Sequence, residues 1–279
     1  VYIIFRFIGF YCSAITRYQI HAPQLFDLVS AVLEDNRQYY AFSLLASLRK
    51  RMLKSKATIS RIDFGAGRSS SKPFKKSLRD LVRTSASSPR QGKRLFRLVA
   101  HLKPRRILEM GTSVGLGTLY LALPDTTAKI ITLEGCPETA GIARENFSTF
   151  GLTNLTLLEG PFEQTLPAAF QALGSIDLLY VDGNHQREAT LHYFKLWLDQ
   201  TSPTGVCVFD DIYWSAGMTE AWKLICAHPS VTRSVDFFDF GIVWTDPAFK
   251  VKQHFKVVPY EWKWWKALHV FHSAIPSGR

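Results

Sequence analysis

Several short apolar runs in this chain carry an acid at or beside their ends. Ile107-Leu-Glu-Met110 holds Glu109, Ile131-Thr-Leu133 is closed by Glu134, Leu178-Leu-Tyr-Val181 by Asp182, and Val206-Cys-Val-Phe209 by the pair Asp210-Asp211. In open α/β sheets ligands bind beyond the carboxyl ends of the strands, so these acids are expected to converge on one edge. Asp182, Asp210 and Asp211 together would repel one another unless neutralised, which a hard divalent cation with oxygen ligands does naturally. The plainer reading of Asp210-Asp211 is a helix N-cap plus one exposed acid. Capping accounts for one aspartate but not for three that converge.

The glycines are the second chemical signal. Arg106-Ile-Leu-Glu-Met-Gly-Thr-Ser-Val-Gly-Leu-Gly117 reads as a strand, a turn with Gly111, Gly115 and Gly117, and the start of a helix. Such a turn lets a ligand approach the backbone closely, near the free N–H groups of the helix start. A dinucleotide fingerprint wants G-x-G-x-x-G. Here the pattern is Glu109-x-Gly111-x-x-x-Gly115, which suits a ligand with a cationic or hydroxyl-rich part better than a bare pyrophosphate. Glu134, about one βα unit later, is placed to accept hydrogen bonds from ribose hydroxyls.

These residues need a scaffold, and from Arg105 the chain supplies a regular βα rhythm. Strands are expected at 107–110, 130–133, 155–158, 178–181 and 206–209, with helices at 116–123, 138–150, 162–172, 187–198 and 218–227. Continuously apolar strands between amphipathic helices indicate a parallel sheet covered on both faces. Residues 231–238 and 241–244, joined by a tight link, predict an antiparallel hairpin. The expected fold is α/β: a Rossmann-like, mostly parallel seven-stranded sheet with an antiparallel C-terminal hairpin and a helical N-terminal extension. The expected division is a basic, mainly helical extension or cap (1–104), a cofactor-binding domain (105–250) and an aromatic, basic tail (251–279).

Within the first part, helices are expected near 24–34, 39–53, 76–84 and 89–102. Asp63-Phe-Gly-Ala-Gly67 superficially competes as a cofactor loop, but a polar Ser/Lys/Pro tract follows it rather than a helix. It reads as a loop over the site. In the tail, Trp262, Trp264 and Trp265 alternate with Lys263 and Lys266, and an aromatic cover over the sheet is the expected role.

The chain resembles the class I S-adenosylmethionine-dependent methyltransferases, most closely the metal-dependent small-molecule O-methyltransferases. The resemblance spans roughly residues 105–245. It implies that Glu109, Gly111, Thr112, Ser113 and Gly115 lie around the cofactor, that Glu134 holds its ribose, and that Gly160 and Phe162 lie around the adenine. It implies that Asp182 borders the cofactor and, with Asp210 and Asp211, binds Mg2+ or another divalent cation. Catechol-type members often carry Asp-Asn at the last pair. The Asp-Asp here looks more like members acting on sugars and antibiotic precursors, which leaves the acceptor open. Those catechol-type members use a lysine three positions after the metal-binding aspartate as base. His185 occupies that place, and a neutral imidazole can accept a proton near pH 7. Asp182 is the alternative base, as in sugar-modifying relatives.

The implied activity is methyl transfer to a small hydroxylated acceptor. Two other readings compete. One is a methyltransferase acting on RNA or protein through the basic N-terminal region; the other is a metal-free cofactor-binding domain.

Composition bounds these readings. At 279 residues with 47% hydrophobic residues, the chain can bury a substantial core. Its net charge of +11 is unevenly placed: residues 1–104 carry 20 Lys and Arg against 5 Asp and Glu, whereas residues 105–250 carry 9 against 17. A solvated helical face accounts for such a bias without a nucleic-acid partner. The N-terminal region shows no interleaving of basic and aromatic residues of the RNA-binding kind. Four scattered cysteines suggest a reduced, cytoplasmic protein. The opening run Val1-Tyr-Ile-Ile-Phe-Arg-Phe-Ile-Gly-Phe-Tyr11 is too short to span a bilayer, so a packed helix or strand is expected. A homodimer is compatible with all of this.

Overall fold

A computed structural model describes residues 2–61 and 74–263. The expected loop at Asp63–Gly67 and Trp264 onward lie outside the described residues. The chain opens with α1 (Tyr2–Ser13), α2 (Pro23–Val29, continued by a π-helical turn to Glu34) and α3 (Tyr40–Lys54). A small antiparallel ribbon, β1 (Thr58–Arg61) and β2 (Phe74–Ser77), precedes α4 (Leu78–Thr84) and α5 (Pro89–Leu102). Then the alternation begins: β3 (Arg106–Met110), α6 (Leu116–Ala122), β4 (Lys129–Glu134), α7 (Pro137–Thr149), β5 (Leu155–Glu159) and α8 (Phe162–Leu173). It continues through β6 (Ile176–Val181), α9 (Arg187–Leu198), β7 (Thr201–Asp210) and α10 (Ala216–Ala227), and closes with β8 (Arg233–Asp236), β9 (Phe240–Trp244) and β10 (Gln253–Lys256).

The large sheet runs β10-β8-β9-β7-β6-β3-β4-β5. Strands β3 to β7 are mutually parallel, and β9 is antiparallel to both β7 and β8. The order reverses between β3 and β6, which makes a crevice at their carboxyl ends. This sheet has eight strands among the described residues, one more than expected. The addition is β10, which pairs parallel to β8 in a segment expected to be tail. Beside it, Ile15 bridges Val257: Ile15 N–H donates to the Lys256 carbonyl (2.8 Å) and Val258 N–H to the Ile15 carbonyl (3.0 Å).

Alternation along each strand divides the core. Leu108, Met110, Leu179 and Phe209 face α8, α9 and α10, where Trp197 and Trp222 are buried, and Phe10 of α1 joins them. Ile107, Ile130, Leu178 and Val206 face the other way, onto Leu25, Val29 and Val32 beside Leu95, Leu98 and Val99 of α5. A third cluster joins α3, α4, α5, α6 and α7 through Phe42, Leu45, Leu81, Phe96, Leu119 and Phe147. The N-terminal region is therefore packed into the same cores as the sheet. No helix of the described residues is long and apolar enough to cross a membrane.

Candidate active site

The turn after β3 is built by contact with its neighbours. The N–H groups of Gly111 and Thr112 both donate to the Leu133 carbonyl (3.0 and 3.1 Å), and Asp182 N–H donates to the Met110 carbonyl (2.9 Å). Gly111 has φ +105°, and a Cβ there would lie 2.2 Å from the Asp182 carbonyl oxygen. Only glycine lets the turn lie so close to the end of β6. Ser113, at φ +50°, then aims its N–H at Glu134 Oε2 (2.7 Å), while Glu134 Oε1 accepts from Cys136 N–H (2.9 Å). Two backbone donors thus orient Glu134 at the rim.

Gly111, Ser113 and Glu134 line a cavity of about 720 Å3 together with Gly160, Phe162, Asp182, His185, Asp210 and Asp211. Gly183 makes room for the Phe162 ring, since a Cβ there would lie 2.9 Å from it. Phe162 in turn meets Tyr193 edge-on at 5.8 Å. Ser87, Gln91, Asn184 and Trp214 add to the wall, and Arg61, Lys76 and Arg83 bring cations from the N-terminal region.

Glu109, Thr112 and Gly115 take a different place: none of them lines this cavity. Glu109 is fully buried beneath the turn, its Oε2 accepting from the hydroxyls of Thr118 and Thr132 (2.6 Å for Thr132). Its Oε1 is buried without a partner. Burial raises its pKa to about 7, against the lowering effect of the two hydroxyls. Thr112 is bonded to Thr132 (2.6 Å), and Gly115, at φ +82°, caps α6 against the Phe147 ring.

The acids at the ends of β6 and β7 form a buried cluster. Tyr180 donates to Asp210 Oδ2 (3.0 Å) and lies 3.3 Å from Asp182 Oδ2. Asp210 Oδ1 accepts from the Gln91 side-chain amide and from Asp211 N–H (2.9 Å). Burial, followed by the repulsion of Asp210, raises Asp182 well above the carboxylate range. Asp210 rises to about 7, again through burial and then through Asp211. Asp211, in the left-handed region at φ +51°, turns toward His185, whose Nε2 lies 3.9 Å from Asp211 Oδ2 and 3.8 Å from Asp182 Oδ1. Burial lowers the His185 pKa, which keeps the imidazole neutral near pH 7.

This arrangement does not make a ligand set for a metal ion. Asp210 already accepts three protein hydrogen bonds, and Asp211 points to the imidazole. Among the described residues no group of three or more His, Cys, Asp or Glu side chains could hold a metal.

Gln91 and Tyr180 were not legible as site residues. Ser88-x-x-Gln91 is a capping-box pattern, and the structure forms it: Ser88 caps α5, and Gln91 Oε1 accepts from Ser88 N–H (3.4 Å). The same amide then donates its Nε2 to Asp210, 119 residues away. The pattern locates a helix start but carries no sign of that second contact.

Residues 108–212 match the model of a methyltransferase domain. The chain is 31% identical over 135 residues to a catechol O-methyltransferase of Mycobacterium tuberculosis, covering 48% of this chain and 60% of that protein. It is 34% identical over 129 residues to an O-methyltransferase of Aspergillus hancockii, covering 45% and 50%. The chain thus spans between half and two thirds of the length of these relatives. Among solved structures, an SAH-bound methyltransferase of Podospora anserina superimposes with a TM-score of 0.55 at 22% identity, over 81% of this chain and 97% of that one. An O-methyltransferase from Bacillus cereus in complex with SAH gives 0.52 at 21%, over 78% and 94%. At such identities the likeness establishes the fold.

Proposed function

We propose that this chain, with a methyltransferase domain over residues 108–212, is an S-adenosylmethionine-dependent O-methyltransferase acting on a small hydroxylated acceptor. The observation that carries the reading is the meeting of two groups of residues on one cavity. Gly111, Ser113, Glu134, Gly160 and Phe162 line it together with Asp182, His185, Asp210 and Asp211. The first five offer an oriented carboxylate and an aromatic face, which suit a nucleoside. Glu134, oriented by the N–H groups of Ser113 and Cys136, is the carboxylate placed to accept from ribose hydroxyls in this reading.

When bound, S-adenosylmethionine supplies a sulfonium-activated methyl group. The chain's own part is to hold an acceptor hydroxyl in line with that methyl and to take its proton. His185 is the base in this reading, because burial keeps it neutral and the Asp211 carboxylate, 3.9 Å away, would stabilise the imidazolium it becomes. Asp182 and Asp210, bridged by Tyr180, position the acceptor side of the pocket.

Divalent-metal assistance is the second reading. It is favoured by the raised pKa values of three neighbouring acids, a strain that a hard cation would relieve. The cluster would first have to open, with Asp210 giving up a bond to Gln91 or Tyr180.

Calorimetry should give saturable S-adenosylmethionine binding to the purified chain; its absence removes the proposal. With an accepted hydroxylated substrate, His185→Gln should lower kcat at least a hundredfold while leaving cofactor affinity within about twofold. Activity that survives chelator treatment removes the metal reading alone.

A further inference from the structure

Helix α1 is apolar on both sides, yet the described residues cover only one of them. Inward, Phe7 and Phe10 pack on Phe238 at ring distances of 5.0 and 5.3 Å, and Phe10 meets Tyr213 at 6.2 Å. The outward stripe runs Ile4, Phe5, Ile8, Gly9 and Cys12, which helical spacing puts on one face. Ile3, Ile4, Phe5 and Ile8 are 43%, 63%, 70% and 52% exposed. A helix that is hydrophobic all round is normally enclosed. This one has no polar side chain along its outward stripe.

We infer that α1 docks in the plane of an anionic membrane surface, with Ile4, Phe5 and Ile8 among the acyl chains. Charge complementarity selects this occupant. Arg6 stacks on Tyr2 within the helix, and Lys256 Nζ reaches Ser13 Oγ (3.2 Å). Arg90 lies 4.3 Å over the ring of Trp262, which itself packs on Phe7. Cations therefore border the apolar stripe, α1 carries no acid of its own, and Glu261 is the exposed acid beside Trp262. Basic residues and a Trp around an apolar helix face are what an interfacial helix uses on anionic lipid.

Size argues against a second copy of the chain as the occupant. Twelve residues make a strip about 18 Å long and one helix diameter, about 10 Å, across. A standard protein interface needs about 800 Å2 per partner. The Tyr2 hydroxyl bonds Thr219 Oγ1 (2.9 Å) and lies 3.3 Å from the Ser215 carbonyl, next to Trp214 in the cavity wall. The N-terminal end of α1 is therefore tied to the segment that carries Trp214 of the cavity lining.

The test is sedimentation of the full chain with phosphatidylcholine–phosphatidylserine vesicles and with phosphatidylcholine alone. The expected result is co-sedimentation with the anionic vesicles that weakens as salt is raised. The variant Ile4→Gln/Phe5→Gln/Ile8→Gln should lose at least tenfold in partitioning, with its melting temperature and S-adenosylmethionine affinity unchanged. Failure of the parent chain to bind either vesicle overturns the inference, as does equal binding by the triple variant. Equal binding to neutral vesicles overturns the assignment to anionic lipid. A concentration-dependent dimer abolished by the triple variant, without vesicle binding, gives the face to a second copy.

Discussion

Glu109 shows how far a residue's chemistry depends on which side of a turn it occupies. A carboxylate beside a glycine turn invites assignment to the ligand, but here it is sealed beneath the turn with two threonine hydroxyls on one oxygen and none on the other. Burial raises its pKa from 4.5 to about 7. The folded state thus prefers the protonated acid. Its contribution is fully present below pH 4.5 and is lost as pH rises through about 7. The shift corresponds to about 3 kcal/mol. Glu109→Gln should therefore be more stable than the parent in urea unfolding at about pH 8, with the difference vanishing toward about pH 4.5. An unchanged pH slope would show that Glu109 is ionised and solvated instead. The acids at the strand ends were readable because strand–turn punctuation puts them on one edge. Which of them face the cavity depends on side-chain direction and turn conformation. Ser113 at φ +50° and Asp211 at φ +51° are left-handed without being glycine, so nothing in the residue type announces it.

At the scale of elements, the βα rhythm of residues 105–245 was legible because each strand is a continuous apolar run and each helix has its own stripe. The ribbon β1–β2 was not, since Phe74-Lys-Lys-Ser77 has the composition of a loop and its strand character comes from pairing with Thr58–Arg61. The same holds for β10, whose Gln253-His-Phe-Lys256 joins the sheet through β8. What locks the elements into a site is the close approach of the β3 turn to the end of β6. Gly111→Ala combines a positive φ with a clash against backbone, which cannot rotate away. It should cost roughly 2–4 kcal/mol in chemical denaturation and weaken S-adenosylmethionine binding with it. Gly141→Ala is the control: a Cβ there meets nothing within 4 Å on α7, so a gain of about 0.4–1 kcal/mol is expected.

For the whole molecule, the change of charge and rhythm near residue 105 suggested a boundary, whereas the packing crosses it. Leu25, Val29 and Val32 share a core with Ile107, Ile130 and Val206, and Gln91 reaches the aspartate at the end of β7. Long-range burial of this kind leaves no periodic trace, because each partner reads only as one more apolar residue in its own helix. A chain of residues 105–279 alone should show no cooperative thermal transition by circular dichroism, whereas an independent domain would melt sharply. The contact between Ile15 and the segment around Val257 sets a schedule as well as a shape. The two are 242 positions apart, and translation at about 5–20 residues per second separates them by roughly 12–50 seconds. During that interval the nascent helix α1 has neither Phe238 nor Trp262 to lie against. The sheet edge that holds the first helix closes only at the end of that interval.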